Sequence, residues 1–295
     1  MFNPPMKKIF CTVISLLVIV SLASCSKSKK FDVVEVSGYA DDSIVERHGE
    51  IELNVETYQK KFKSKQTATV NGKKISGDYS MSKKSYLFNS DVDYYEYSKA
   101  GSKVQFGINA KTGIVDSYSY VDMNYVTSKS GAASLTENQC SDIALQYFSQ
   151  YVDTDKYSLV ASNYLEIPEY GAIYDFEFVF LVDGIQTSDS AFIGVTIYGD
   201  VISHMFSTLN EFEGLKPPSN EDNEVIAGNI DAKIKNMYDS ISDKYDYSWN
   251  NTEKVFVKLS DGTYALEYYI SVKLVPKNAL AKEAVETVKL LVYID

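Results

Sequence analysis

Two stretches of this sequence repeat one pattern of glycines and apolar residues. FGINAKTGIVDSYSYV (residues 106–121) aligns with IGVTIYGDVISHMFS (residues 193–207) across one gap. Each stretch places a glycine turn between two runs of alternating apolar and polar residues, an arrangement typical of a β-hairpin. A pattern that returns after about 80 to 90 residues predicts an array of similar units. The aligned pairs are Gly107 with Gly194, Ile108 with Val195, Gly113 with Gly199, Val115 with Val201, Ser117 with Ser203 and Tyr118 with His204.

A helix is predicted before each set of strands. In the middle of the chain, Thr136 is suited to cap a helix, and Gln139 completes a capping box. Shorter amphipathic patterns predict further helices over residues 54–63 and 230–242. The apolar residues of the middle helix recur at helical spacing and are expected to pack on a sheet. They are Cys140, Ile143, Ala144, Tyr147, Phe148 and Tyr151.

These patterns predict an α+β fold of tandem units, in each of which a helix packs on an antiparallel sheet. The third unit is expected to be partial, because its last strand is followed by the end of the sequence. The predicted divisions are a lipoprotein signal peptide (1–24), a tether and N-terminal extension (25–53), a first, β-rich unit (54–126), a second unit (134–210), a linker (211–228) and a third, partial unit (229–295).

The segments LTENQCSDIALQYF and VDGIQTSDSAFIGVTIYGDVISHMF resemble the PepSY-like domains of the YcdB/YcdC-repeat lipoproteins of Gram-positive bacteria. The resemblance is best over residues 135–206, fainter over 54–121 and partial over 230–295. Related PepSY modules occur in protease propeptides and in partner proteins of wall hydrolases. The resemblance therefore implies a protein-interaction or inhibitory role, and it supplies no catalytic motif to transfer.

The N-terminus has the parts of a bacterial export signal. Within residues 1–24, two lysines precede an uncharged apolar run over 9–20, and small residues follow. As a helix this run would span about 18 Å, which is shorter than the ~30 Å hydrocarbon core of a bilayer. The next residues, LASC, resemble the lipobox, whose cysteine is diacylated and becomes the first residue after cleavage. We therefore predict that Cys25 anchors the protein on the extracytoplasmic face of the cell membrane. The alternative is an ordinary secretory signal with a chance cysteine.

Charge and cysteine content exclude other classes. The formal net charge is −11 at pH 7, and Arg47 is the only arginine. Nucleic acid is therefore not expected as a partner, because binding a polyanion requires a basic surface. Cys11 is removed with the signal and Cys25 carries lipid, so Cys140 has no partner for an intramolecular disulfide. Because Cys140 falls on the apolar stripe of a helix, we expect it to be buried.

The sequence contains no recognisable catalytic or metal-binding set of residues. His48 lies in a polar turn and is expected at the surface. His204 aligns with Tyr118, which predicts a packing role in a strand; the alternative is a proton carrier. Ser80 and Lys83 have the S-x-x-K spacing without its partner motifs. We therefore predict no catalytic residue, no metal ligand and no cofactor.

Tyrosines are the candidate interaction residues. Several alternate along neighbouring predicted strands, so that one sheet face presents an aromatic platform for a wall glycan or a partner peptide. The alternative is that their rings pack half-buried with the hydroxyl groups in solvent. The residues are Tyr94, Tyr95, Tyr97, Tyr118 and Tyr120.

Together, these features predict a non-enzymatic, lipid-anchored surface module that binds another envelope protein, for example a protease or a wall hydrolase. Sheet edges can bind peptides by strand addition. The alternative is a lipoprotein that binds a solute or a glycan for uptake. Two α/β lobes, expected of most such receptors, are missing from the predicted pattern. An enzyme is the third hypothesis, for which no nucleophile and base can be named.

Overall fold

The computed structural model describes residues 31–35, 63–70, 72–85, 90–99, 101–110, 112–207, 209–259, 262–278 and 282–294. The predicted signal peptide, Cys25, His48 and all but the last residue of the helix predicted over 54–63 lie outside the described residues. Within the described ranges, no helix combines the length and the apolar character needed to cross a bilayer.

Strands dominate the described part of the chain. They are β1 (Val33–Glu35), β2 (Lys65–Val70), β3 (Lys73–Ser85), β4 (Ser90–Lys99), β5 (Ser102–Asn109), β6 (Val115–Asp122), β7 (Tyr157–Leu165), β8 (Ile173–Val182), β9 (Ile185–Thr196), β10 (Val201–Phe206), β11 (Tyr245–Lys258), β12 (Tyr264–Pro276) and β13 (Ala284–Ile294). The helices are α1 (Tyr125–Ser128), α2 (Glu137–Phe148) and α3 (Asn220–Tyr238), with short 3-10 turns at Thr154–Lys156 and Asp239–Ile241.

The described strands form one sheet. Its path is β1-β13-β12-β11-β9-β10-β6-β5-β4-β3-β2, and β8 and β7 branch from β9. Described neighbours pair antiparallel except β9 and β11, which run parallel where Thr187 meets Phe256. The sheet is therefore mixed, and the prediction of an α+β fold of tandem units, each with a helix on its own antiparallel sheet, is wrong. The physical reason is that the outer strand of each hairpin has free backbone N–H and C=O groups, and the next hairpin satisfies them by pairing.

The two aligned stretches form the hairpins β5–β6 and β9–β10, and these hairpins pair with each other. β6 and β10 run antiparallel, with Tyr118 opposite His204. Because these residues are also counterparts in the repeat, a local twofold axis passes through this pair. Each hairpin has a β-bulge at the same aligned place, with Asp116 as the extra residue in one and Ile202 in the other. The repeat seen in the sequence is therefore a symmetric feature of the sheet.

Helix α2 lies across β8, β9 and β10. Its capping box is the predicted one: Thr136 Oγ1 accepts a hydrogen bond from the backbone N–H of Gln139 at 3.4 Å, and Gln139 Oε1 accepts one from the backbone N–H of Thr136 at 2.9 Å. Cys140 is fully buried, as predicted, and burial raises the pKa of its thiol. The buried residues of α2 are Cys140, Ala144, Tyr147 and Phe148.

Helix α3 differs from its predicted bounds of 230–242. It begins at Asn220, inside the segment predicted as a linker, and ends at Tyr238. Ser219 caps it: Ser219 Oγ accepts from the backbone N–H of Asp222 at 3.1 Å, and Asp222 Oδ2 accepts from the backbone N–H of Ser219 at 3.2 Å. The buried residues of α3 belong to the same core as the strands β11 to β13. They are Ile226, Ile230, Ile234 and Tyr238.

The N-terminal strand completes the C-terminal part of the sheet. β1 pairs antiparallel with β13. This pair corresponds to the pair of β10 with β9, with β13 in the place of β9 and β1 in the place of β10. Phe31, just before β1, is buried, and its carbonyl oxygen accepts a hydrogen bond from Asn229 Nδ2 at 2.8 Å. Residues 31–35, in the segment 25–53 predicted as a tether, are therefore part of the fold.

Candidate functional site

A cleft lies over the local twofold axis, on the face of the sheet turned away from α2. Side chains alternate between the two faces of a strand. Phe176 and Phe206 belong to the core beneath α2, so their neighbours Asp175 and Met205 lie on the opposite face. The cleft has a volume of about 420 Å³. Residues that line it include Tyr94, Ser117, Asp175, Phe192, Ser203 and Met205.

The floor of the cleft is formed where a glycine lies opposite a serine in both repeats. Gly107 pairs with Ser117 across β5 and β6, and Gly194 pairs with Ser203 across β9 and β10. A Cβ atom on either glycine would lie only 2.3 Å from the Oγ atom of the serine. The two glycines are therefore required by the close approach of the serine side chains. This contact keeps the floor low and makes room for the cleft.

Tyr94 and Asp175 border the floor at corresponding places. Tyr94 on β4 lies opposite Gly107, and Asp175 on β8 lies opposite Gly194. Burial raises the pKa of the Tyr94 hydroxyl and of the Asp175 carboxyl. Glu177, next on the same face of β8, has its pKa raised by burial and by the charge of Asp175. No lysine or arginine is among the residues that line the cleft. Its electrostatic character is therefore acidic.

His204 lies behind the floor, on the face covered by α2. It is buried, and its ring stacks on Phe206 with the ring centres 4.2 Å apart. His204 Nε2 is 2.9 Å from the carbonyl oxygen of Val115, which can only accept, so Nε2 carries the proton. Nδ1 then accepts from the Tyr147 hydroxyl at 2.6 Å. Burial lowers the pKa of His204 from 6.5 to about 3, so the ring is neutral at pH 7. The packing position predicted for His204 is confirmed.

Strand β7 forms a free edge of the sheet. It pairs with β8 on one side, and none of the described strands pairs with its other side. The sequence of β7, YSLVASNYL, contains no charged residue and no proline. Charges and prolines are common means of preventing an edge strand from pairing with other chains. Large apolar side chains are exposed along β7, namely Leu159 (45%), Val160 (38%), Tyr164 (54%) and Leu165 (46%).

The five tyrosines predicted as interaction residues are divided between the two faces of the sheet. Tyr94 borders the cleft, whereas Tyr95, its neighbour on β4, points into the core and is 1% exposed. Tyr118 stacks beside His204 beneath α2. Tyr97 is exposed, and the half-buried Tyr120 donates a hydrogen bond to Asp122. The structure does not bring the five rings onto one face, and their role in binding stays a prediction.

Sequence reasoning missed Asp175, Phe192 and the exposed edge β7. The repeat extends by one strand, so that β8 corresponds to β4, but the strand segments between the corresponding residues differ in length. Tyr94 precedes Gly107 by fewer residues than Asp175 precedes Gly194, because β8 continues further beyond Asp175 than β4 does beyond Tyr94, and β9 is longer than β5. An alignment without a further gap therefore does not pair Tyr94 with Asp175. Among the described residues, no group of three or more His, Cys, Asp or Glu is placed to hold a metal ion.

Comparison with known proteins adds one distant similarity. No family model matches the sequence, and no curated protein matches it. Among solved structures, the chain is similar to the C-terminal domain of YpeB from Bacillus megaterium, with a TM-score of 0.36 and 13% sequence identity. The match covers 86% of this chain and 98% of that domain.

Proposed function

We propose that this chain is a non-enzymatic, lipid-anchored module on the extracytoplasmic face of the cell membrane, and that it binds an extended segment of another envelope protein along β7. The observation that carries the proposal is the free, uncharged edge of β7 with its exposed apolar side chains. An edge strand of this kind can add a partner strand through its backbone hydrogen bonds, while alternate side chains select the partner.

The other ends of the described sheet offer less to a partner. β1 has only three residues, and β2 begins at Lys65, which forms an ion pair with Asp78. Short length and charge are both features that prevent pairing with other chains. β7 has nine residues and neither protection. The contrast supports β7 as the edge used for binding.

Charge at the two ends of β7 favours a basic partner. Asp153 and Asp155 precede the strand and Glu166 follows it. Lys156, the one nearby cation in this part of the described chain, is paired with Glu213 at 2.5 Å. A second copy of the chain would bring two molecules of the same net charge, −11, together. We therefore expect an apolar segment flanked by lysine or arginine in a different protein.

Two further observations support a non-enzymatic role in the envelope. His204 and Cys140, the one histidine and the one cysteine among the described residues, are both buried and so are shielded from a substrate. The resemblance of residues 135–206 to PepSY-like domains supports an envelope protease or a wall hydrolase as the partner.

Cys25 is the proposed lipid anchor, and the six peptide units from Cys25 to Phe31 reach at most about 20 Å. β7 lies six strand spacings from β1, about 29 Å along the sheet, so the proposed binding edge and the anchored end are at different places in the sheet.

The proposal is tested with a photoreactive amino acid in place of Tyr164 in the full-length protein on intact cells. We expect one envelope protein to be crosslinked, through an extended segment with flanking basic residues. A synthetic peptide of that segment should then protect the backbone amides of β7 from hydrogen exchange in the purified protein, since strand addition engages those amides.

The substitutions Leu159→Lys and Leu165→Lys together should reduce crosslinking by about tenfold or more, because they place charge on the edge that receives the strand. Met123→Lys with Val285→Lys is the matched control, since those side chains are 65% and 67% exposed elsewhere. Equal loss in the control, crosslinking to a second copy of the chain, or an absence of β7 protection would overturn the proposal.

A further inference from the structure

The cleft contains a carboxylate that nothing in the described protein neutralises. Asp175 makes no hydrogen bond and no ion pair with any described residue. Its Oδ1 atom lies 3.9 Å from the position that a Cβ atom on Gly194 would take, so the carboxylate stands over the floor of the cleft. Asp175 is half-buried, and even partial removal of a carboxylate from water without a partner costs free energy. Asp175 is therefore a source of instability unless a ligand compensates its charge.

The surroundings of Asp175 select the kind of ligand. Tyr94 and Phe192 supply two aromatic side chains, and Met205 adds a polarisable thioether. Aromatic faces attract cations, and they do so most strongly where water is excluded. A carboxylate bordered by aromatic rings is therefore suited to an ammonium or a guanidinium group. Ser117 and Ser203 line the floor and add hydroxyl groups that are able to accept hydrogen bonds from such a group.

Other ligand classes fit these residues less well. An anion would be repelled by Asp175 and by the neighbouring Glu177, and the lining provides no lysine or arginine to hold it. A neutral sugar would leave the Asp175 charge uncompensated. A calcium ion requires six to eight oxygen ligands, whereas one carboxylate lines the cleft. The volume of about 420 Å³ accommodates the whole of a long cationic side chain.

We propose that this cleft binds the lysine or arginine side chain of a basic peptide, with Asp175 as the counter-ion and Tyr94 and Phe192 as the aromatic walls. The site lies on the open face of the sheet and is separate from the free edge of β7. It gives the acidic chain a second, side-chain-specific contact with a basic partner.

The binding test uses isothermal titration calorimetry on the full-length protein in detergent micelles at low ionic strength. The probes are the tripeptide acetyl-Gly-Lys-Gly-amide and its matched analogue with norleucine in place of lysine. We expect the lysine peptide to bind about tenfold or more tightly than the norleucine peptide, because only the ammonium group pairs with the carboxylate. Equal binding of the two peptides, or no binding of either, would overturn the proposal.

Two substitutions separate the site from general attraction to an acidic protein. Asp175→Asn should weaken binding of the lysine peptide by about tenfold, because it removes the counter-ion and keeps the shape. Asp142→Asn makes the same change of charge on the exposed part of α2, on the other side of the sheet, and should change binding by less than about twofold. A similar effect of both substitutions would show that the attraction is not specific to the cleft.

The melting temperature distinguishes a binding role of Asp175 from a structural role, because the two roles predict opposite effects of Asp175→Asn. Asp175→Asn should keep or raise the melting temperature, because it removes an uncompensated charge that is half-buried. A clear fall in melting temperature would mean that Asp175 supports the fold instead. The variant with Leu159→Lys and Leu165→Lys should bind the lysine peptide as the unaltered protein does. Failure of the cleft proposal is thereby distinguishable from failure of the proposal for β7.

Discussion

The hairpins β5–β6 and β9–β10 share their backbone geometry and differ in the side chains built on it. In both, a glycine lies opposite a serine, and a Cβ atom added to the glycine would lie 2.3 Å from the serine Oγ atom. Both also have a bulge at the same aligned residue. The bulge residue, however, is Asp116 in one hairpin and Ile202 in the other. Both are 5% exposed, and burial raises the pKa of Asp116 to about 7. The buried position therefore accepts either an apolar side chain or a carboxyl group with a raised pKa.

The same contrast is seen on both faces of the paired hairpins. Beneath α2, Tyr118 lies opposite His204, and only His204 is linked to α2 by a hydrogen bond from Tyr147. On the open face, Tyr94 corresponds to Asp175. The two hairpins therefore share the close backbone contacts that define the repeat. They differ in the side chains around the twofold axis, and these unlike side chains form the buried hydrogen bonds on one face and the cleft on the other.

The glycines give the test with the largest expected effect. Gly107→Ala should lower the free energy of unfolding by about 3 kcal/mol, because the new methyl group would lie 2.6 Å from Val92 Cγ1 as well as 2.3 Å from Ser117 Oγ. Gly194→Ala should cost only about 1 kcal/mol, since the serine Oγ is its one close contact and is able to rotate away. Urea denaturation measures both.

Removal of the serine hydroxyl sharpens this difference. Ser203→Ala should largely restore the stability of Gly194→Ala, whereas Ser117→Ala should not restore that of Gly107→Ala, because the clash with Val92 remains. Equal costs of the two glycine substitutions, or equal rescue, would show that the two floors are not packed as the structure describes.

The second test compares the residues on the twofold axis. His204→Phe should lower the free energy of unfolding by about 2 kcal/mol at pH 7, because the Val115 carbonyl oxygen loses its side-chain donor and the Tyr147 hydroxyl loses an acceptor. The phenyl ring keeps the stacking on Phe206. Tyr118→Phe should change the value by less than about 0.5 kcal/mol, since its hydroxyl makes no hydrogen bond with the described residues. Equal costs would contradict the hydrogen bonds assigned to His204.

The pH dependence of that difference is the third test. The unfolded chain protonates His204 near pH 6.5, whereas burial keeps its folded pKa at about 3, so the contribution of His204 to stability is lost as pH falls below 6.5. The free energy of unfolding of the unaltered protein, relative to that of His204→Phe, should therefore fall by about 2 kcal/mol between pH 7 and pH 5. Burial raises the pKa values of Asp116 and Asp189 to about 7, so their contributions to stability increase as the pH falls. Both residues are present in both proteins, and their contributions therefore cancel in the difference. A constant difference over this range would mean that the folded His204 titrates normally.

The smallest expected effects extend the comparison to the helices. Thr136→Ala and Ser219→Ala should each lower the free energy of unfolding by about 1 kcal/mol, because each removes the side-chain acceptor of a capping box. Gln150→Ala, just beyond α2 and exposed, is the control and should change it by less than about 0.5 kcal/mol. A negligible effect at Ser219 alone would place the start of α3 further along the chain, as the sequence pattern had suggested.

Local signals in the sequence were read correctly where neighbouring residues decide the structure. The sequence Asn71-Gly72 is typical of a two-residue hairpin turn, and Gly72, between β2 and β3, has the positive φ of 70° that such a turn requires. The capping box of α2 and the burial of Cys140 were predicted for the same reason. The start of α3 was missed although Ser219 and Asp222 carry the capping signal, because Pro217-Pro218 and the acidic residues after it were interpreted as a linker. Acidic residues in a first helical turn are stabilising there.

What the sequence by itself determined is the repeat: its glycines, its hairpins and the apolar stripe of α2 follow from contacts within a few residues or across one hairpin. Only the tertiary structure decided how the hairpins join. Pairing between β6 and β10, and between β1 and β13, links residues far apart in the chain, and nothing in the local pattern marks which edge will meet which. The cleft and the free edge of β7 arise from those long-range pairings. The cleft requires two hairpins to share one floor, and the free edge requires that no second described strand pairs with β7.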